Sequence, residues 1–361
     1  MATTDAWTPM HSPLFTVILA GYQTEPYLPK ALDSIAQQGF DDYEAICYVE
    51  QSTDNSLAIC QEMASRNPHF KVATAPKSGA VATTRNYGID HASGEYLVVL
   101  DGDDWLAPDT LAKLADKLRQ TGPVDVLAFA AITTEAEEVD WKTAPRLTNF
   151  RPSDAAESFT GQEAIRRTGR NRGRLHCYTW LAAYRTAFLR EHKLYQKDGM
   201  LMEDFEWMPR VWFVAEKIAY LDEPLYAYRR RPNSLTTEAS SRIIYDLARH
   251  FRSLAEFASE HSVPGDILAI WSNQWLAVLY WFLYHPVTSR KISDADRRQA
   301  WRIIREGGGW RRFRRLSRWT SLPRRAALPL VALAAIGWQW PARLYFRRLY
   351  FPLAERRGKE A

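Results

Sequence analysis

Three short clusters hold the residues best suited to chemistry. Asp101-Gly102-Asp103-Asp104 places three carboxylates within four positions, directly after an apolar run at 96–100. Such carboxylates repel one another, and a divalent cation offsets that cost most simply. Mg²⁺ or Mn²⁺ held by one or two carboxylates commonly takes phosphate oxygens as its remaining ligands. The competing reading is a solvated acidic turn in which Asp104 caps the next helix. Glu203-Asp204 lies among Met200, Leu201, Met202, Phe205 and Trp207. That apolar setting would raise a carboxylate's pKa toward the range of a general base; the alternative is that Asp204 caps a helix beginning at Phe205. Arg229, Arg230 and Arg231 either present planar forks to phosphate oxygens or are three surface arginines. His176, Tyr178 and Trp180 offer rings that could stack on a sugar, although a buried core contact is the commoner use of such residues. There is no G-x-S-x-G or Walker A pattern and no His/Cys cluster suited to catalytic zinc.

The elements that must position these clusters follow from hydrophobic periodicity. Apolar, β-branched runs at 15–20, 43–49, 70–74 and 96–100 predict strands, and helical spacing at 29–38, 55–66, 83–90 and 108–119 predicts helices alternating with them. Alternation of this kind predicts a parallel sheet with right-handed crossovers, whose ligands bind beyond the carboxyl ends of the strands. The loops after residues 20, 49 and 100 share that edge. Beyond them the pattern predicts a strand at 124–130, an irregular stretch at 133–152, helices at 162–168 and 180–193, and short strands at 218–221 and 225–228 around Asp222-Glu223-Pro224. From about residue 240 the strand signals end. Helices are expected at 241–260 and 266–284, the latter as a buried helix rather than a membrane span because Ser272, Asn273 and Gln274 interrupt it.

Several ordered motifs, taken together, resemble the GT-A-type glycosyltransferases of family 2. They are residues 16–28 (Thr-Val-Ile-Leu-Ala-Gly-Tyr-Gln-Thr-Glu-Pro-Tyr-Leu), Ser52-Thr53-Asp54, Thr84-Arg85-Asn86-Tyr87-Gly88, Gly94-Glu95-Tyr96 and the Asp101–Asp104 loop, followed by Glu203-Asp204 and the stretch from Tyr226 to Ser234. The resemblance covers roughly 13–240. It implies an α/β fold with a Rossmann-like mixed sheet flanked by helices, and inverting transfer of a sugar from a nucleotide diphosphate donor. By position, Tyr22 and Glu25 would border the nucleoside, Arg85 would hold the nucleotide, and Asp101 would face the ribose. Asp103 would bind the Mn²⁺ or Mg²⁺ at the diphosphate, Asp104 would support that metal through water, and Arg229 and Arg231 would close on the diphosphate. Asp204 would be the general base, with Glu203 beside it. The chain departs from the family in having Ala20, then Tyr22-Gln23, after the first strand. It also has Val49-Glu50-Gln51 where two aspartates and a glycine are usual. Glu50 would then contact the base, and a UDP-sugar is the default donor rather than a deduction.

The 361 residues allow about two domains. We expect an extension at 1–12, a catalytic domain at 13–240 (nucleotide half 13–125, acceptor half 126–240) and a C-terminal helical region at 241–361. With 46% hydrophobic and 25% charged residues, the composition excludes a disordered or fibrous chain. Cys47, Cys60 and Cys177 lack metal-ligand spacing, and residues 1–13 show no secretory signal, so a cytoplasmic location is expected. The net charge of +5 conceals an asymmetry: from Arg297 onward there are 17 Lys/Arg against 3 Asp/Glu, a net of +14, leaving −9 for the rest. Aromatics alternate with arginines at 310–319 and 344–351, around an uncharged stretch at 326–340 that is shorter than the ~20 residues of a spanning helix. This tail reads as a peripheral attachment to an anionic membrane surface, with a helical cap as the alternative. Nucleic acid is not expected as a partner, since only charge and aromatics favour it. The expected partners are the nucleotide-sugar donor and a glycan or lipid-linked glycan acceptor. Two other functions fit less of the pattern: a nucleotidyltransferase on a related sheet, and a non-catalytic glycan- or membrane-binding protein on an inactivated scaffold.

Overall fold

The computed structural model describes residues 12–172, 175–231, 240–285 and 289–306. The parallel half is built from β1 (Phe15–Gly21), α1 (Leu28–Ala36), β2 (Tyr43–Glu50), α2 (Ser56–Arg66), β3 (Phe70–Ala75), α3 (Ala82–His91) and β4 (Tyr96–Asp101). β1 lies between β2 and β4, parallel to both, and β3 flanks β2. These central strands are buried on both faces, which is why they read as continuous apolar runs rather than alternating ones. Helix α1 starts with Pro29 in its first turn and turns Leu28, Ala31, Leu32 and Ile35 onto the sheet, the spacing of one helical face.

The sheet then becomes mixed. It continues through β5 (Trp105–Leu106), α4 (Thr110–Thr121), β6 (Val126–Thr134), β7 (Arg146–Leu147), α5 (Gly161–Arg172), β8 (Ala182–Arg185), α6 (Thr186–Glu191), α7 (Asp204–Val214) and β9 (Ile218–Arg229). The strand order is β3-β2-β1-β4-β8-β6-β9-β5, with β7 beside β6. The helix expected at 180–193 is a short 3₁₀ turn, Thr179–Leu181, followed by β8 and α6. A short apolar run such as Trp180–Tyr184 fits a buried strand as well as a helix. Antiparallel pairing between β4 and β6 decides for the strand. The two short strands expected at 218–228 are one: β9 runs through Asp222-Glu223-Pro224 with register shifts opposite Phe129, Ala130 and Ala131. An irregular register is where a strand tolerates a proline.

After β9 come α8 (Ser241–Glu260), α9 (Gly265–Tyr284) and α10 (Asp294–Glu306). Ser240 caps α8, its side chain accepting from the Ile243 N–H at 3.2 Å. Ile244 and Leu247 of α8, Ile267 and Trp275 of α9 and Trp301 of α10 belong to the same buried cluster as the sheet, so the helical region shares its core. Helix α9 is long and apolar enough to cross a membrane, yet 59% of its apolar window is buried inside the protein. Helix α10 lies within the helical region expected at 241–361 and takes in the first residues of the basic tail. Arg297 is buried in its first turn and donates to the Leu283 carbonyl at 2.7 Å. The remainder of that tail, including 310–319, 326–340 and 344–351, lies outside the described residues, as do 1–11 and 232–239.

Candidate active site

Strand β4 ends at Asp101 and delivers the acidic loop to the carboxyl edge of the sheet. Gly102 has no side chain because none fits: a Cβ there would stand 2.7 Å from the Ala20 carbonyl oxygen of β1, to which its own N–H donates at 2.9 Å. Asp104 is 1% exposed. One of its oxygens accepts from the Tyr226 hydroxyl at 2.6 Å, the other from the Arg229 N–H at 2.7 Å. Tyr226 in turn accepts from the Asp101 N–H at 3.2 Å, so β9 is tied to the end of β4 on both sides of the turn. Burial, reinforced by the charges of Asp103 and Asp101, raises the Asp104 carboxyl well above the usual range. The turn is therefore not a solvated one, and Asp104 caps no helix, because β5 follows it and α4 begins only at Thr110. Its oxygens are committed to protein donors, which leaves Asp103 as the more exposed carboxylate of the Asp103-Asp104 pair, 21% exposed and held by Arg231 Nε at 2.6 Å. Arg229 is buried, donates to the Asp103 carbonyl at 2.8 Å, pairs with Glu137 and lies over Tyr27 and Trp105.

Arg85 of α3 connects this loop to the second acidic cluster. Its guanidinium is 4% exposed and donates to Asp204 at 2.8 Å, Glu203 at 2.5 Å, Thr179 at 3.2 Å and Asp101 at 3.2 Å. Burial opposes its charge, but Asp204, Asp101 and Glu203 more than offset that and raise its pKa. One cation is shared by three carboxylates, so the cluster as a whole is anionic. Burial and then the neighbouring Asp204 push Glu203 up to about 7. Asp101 is also raised, by burial first, against the pull of Arg85. Glu203 precedes α7 and Asp204 is its first residue, where the helix dipole favours negative charge. The Asp204 carboxylate does not serve as a helix cap; it accepts from Arg85 and from the Thr179 hydroxyl. Met202, just before the pair, has a φ of +64°, a strained value for a side-chain-bearing residue.

The other expected donor residues meet at the loops after β1, β2 and β3. Glu25 accepts from the Asn55 N–H and side-chain amide at 2.9 and 2.7 Å, and the backbone bond above all lowers its pKa. Glu50 is buried at the end of β2 and accepts from the Ser78 hydroxyl. The Lys77 ammonium lies over the Tyr22 ring and donates to its hydroxyl at 2.5 Å. All eleven singled-out residues thus lie along one edge of the sheet. Arg85, expected beside the nucleotide, is directed to the carboxylates of Asp101, Glu203 and Asp204. Sequence reasoning missed Thr179, which lies between the aromatic residues Tyr178 and Trp180, and Glu137, one of four acidic residues at 135–140. Tyr178, Trp180, Tyr226 and Tyr228 form a stacked group, with Trp180 and Tyr226 centroids 4.5 Å apart; Trp180 and Tyr226 are core residues, while Tyr178 and Tyr228 are half-buried.

Among the described residues, no group of three or more His, Cys, Asp or Glu side chains is arranged to hold a metal alone. The donor set fits a cation that shares Asp103 with oxygen atoms from a ligand.

Comparison with known proteins places this geometry in context. Residues 16–192 match the model of glycosyl transferase family 2. The chain is 28% identical over 257 residues to EpsH of Bacillus subtilis (strain 168), covering 70% of this chain and 71% of that protein. It is 32% identical over 124 residues to the minor teichoic acid biosynthesis protein GgaB of the same strain, covering 34% of this chain and 14% of that protein. The solved structure of S. aureus TarS 1–349 in complex with UDP-GlcNAc aligns with a TM-score of 0.69 at 20% identity, covering 92% of this chain and 91% of that one, and shares its fold. Through residues 16–192 the chain belongs to glycosyltransferase family 2, and it carries the GT-A fold.

Proposed function

We propose that the chain is an inverting glycosyltransferase that moves a sugar from a nucleotide diphosphate donor, a UDP-sugar by default, to a glycan acceptor in cell-surface polysaccharide assembly at the cytoplasmic face of the membrane. The observation that carries this reading is the position of Arg85, bonded at once to Asp101 of the donor-side loop and to Asp204. A carboxylate within one guanidinium of the acidic loop is suitably close to take the proton of an attacking hydroxyl while the donor's diphosphate departs. Glu25, Glu50 and Tyr22 line the nucleoside side. Asp103 would hold the Mn²⁺ or Mg²⁺, whose chemistry there is to neutralise charge building on the leaving diphosphate. Arg229 and Arg231 supply positive charge on the opposite flank of Asp103. Asp104 positions this group rather than binding the cation, since Tyr226 and Arg229 already occupy its oxygens. UDP-GlcNAc in the TarS structure and the teichoic acid role named for GgaB support the donor class and the setting.

A panel of nucleotide sugars, assayed with and without divalent metal, tests this reading. Release of free nucleoside diphosphate by the wild-type chain is expected. Asp204→Asn should lower transfer about 10²–10⁴-fold, and Asp103→Ala should abolish the metal dependence. Pyrophosphate exchange in place of diphosphate release would indicate a nucleotidyltransferase, and turnover unaffected by Asp103→Ala would remove the metal assignment.

A further inference from the structure

Helix α8 grips the segment that carries Glu203 and Asp204 along one helical face. Arg242, in its first turn, donates to the carbonyls of Gly79 and Gly199 at 2.9 and 3.0 Å. One turn on, Asp246 accepts from the Leu201 N–H at 3.1 Å, and one turn further His250 Nε2 bonds the Leu201 carbonyl at 3.0 Å. Ser253 then donates to Glu206 of α7 at 2.8 Å. Positions 242, 246, 250 and 253 follow the i, i+4, i+8, i+11 spacing of one face. A carbonyl only accepts, so His250 Nε2 carries the proton. Asp246 and His250 are both fully enclosed.

Both backbone groups of Leu201 are therefore held by α8, two residues before Glu203. Between them lies Met202 in the left-handed region, a conformation that costs on the order of 1–3 kcal/mol and persists only where its surroundings enforce it. Leu201 is fixed on one side of Met202, and the bonds of Glu203 and Asp204 to Arg85 fix the other. We infer that Asp246 and His250 are positioning residues for the general base, so that the helical C-terminal region is a working part of the transfer site. The inference rests on the reading of Asp204 as that base.

The test uses the full chain and separates chemistry from donor binding. His250→Leu and Asp246→Ala each remove a grip on Leu201. They should lower kcat about 10- to 100-fold, the size of effect expected from displacing a catalytic group by about 1 Å. The Kd for UDP, measured by calorimetry, should stay within about twofold of wild type. His250→Gln keeps an amide N–H for the Leu201 carbonyl, and Asp246→Asn keeps an acceptor for the Leu201 N–H, so both should recover most of kcat. Unchanged kcat in the first pair, or a fall in kcat matched by UDP affinity without rescue in the second, would overturn the inference. Should the buried variants not fold, the half-exposed Arg242→Ala carries the test by releasing Gly199, and an unaltered kcat there overturns it equally. Asp204→Asn is measured alongside. If that variant keeps full transfer, the base assignment itself fails; if it loses transfer while the α8 variants keep theirs, only the positioning role fails.

Discussion

Glu203 and Asp204 approach one guanidinium from adjacent positions, with side chains 7% and 15% exposed. Glu203, the more enclosed, is the group whose ionisation folding opposes: burial and the Asp204 charge bring its pKa to about 7, against roughly 4.3 for an unperturbed glutamate. The folded value lies above the unfolded one. The stability that Glu203 contributes is therefore complete below about pH 4 and is lost as pH rises through about 7. Glu203→Gln cannot ionise, so its melting temperature relative to wild type should climb between pH 5 and pH 8. A difference that stays flat over that interval would mean that Glu203 titrates like an exposed carboxylate. At this scale the acidic residues were readable from the sequence, because charge clustered in an apolar setting is rare and needs a reason. Their partners were not. The acidic run around Glu137 and the aromatics around Thr179 do not reveal which arginine each will meet, and the roles of Tyr226 and Asp104 in joining β9 to β4 depend on strands 122 positions apart meeting in the sheet.

The acidic loop owes its placement to an element contact, β4 against β1, with Gly102 pressed on the Ala20 carbonyl. This glycine is required for a close approach of two backbones. Gly102→Ala must push the loop off β1 or spread the strands, an overpacking strain of about 1–3 kcal/mol. Asp101 and Asp103 are anchored on either side of it, so activity should suffer more than folding. The expected result is a fall in kcat on the order of 10²-fold with only a few degrees lost in thermal melting; full activity would show that the loop tolerates displacement. The parallel strands could be located from sequence alone because burial on both faces leaves long apolar runs. β8 could not, since its four residues have no period of their own and become a strand only by fitting between β4 and β6. β5 and β7, two residues each, lie below the length at which any alternation can be seen.

Charge separates the molecule into an acidic body and a basic end, and the structure moves the border between them. The asymmetry in the sequence begins at Arg297, yet that arginine is buried in α10 and bonded to the Leu283 carbonyl. Trp301 and Ile304 of the same helix are fully buried, and Tyr245 of α8 donates to Asp296 at 2.6 Å. A chain cut at 296 would thus lose core contacts next to α8 and impair the enzyme for reasons unrelated to any membrane. The informative cut is after Glu306. Residues 307–361 contain 13 Arg/Lys and 2 Asp/Glu, a net of +11, together with the aromatic residues of 310–319 and 344–351. Each basic residue close to an anionic bilayer contributes about 1 kcal/mol, and aromatics favour the headgroup zone. If this segment attaches the enzyme to membranes, chain 1–306 should melt at the wild-type temperature and transfer sugar to a soluble acceptor at the wild-type rate. It should no longer sediment with phosphatidylserine-containing vesicles, whereas the full chain should do so at low salt and release as ionic strength rises. Equal sedimentation of the two chains would place the membrane contact on the folded body, and binding by the full chain that ignores salt would take the arginines out of the account.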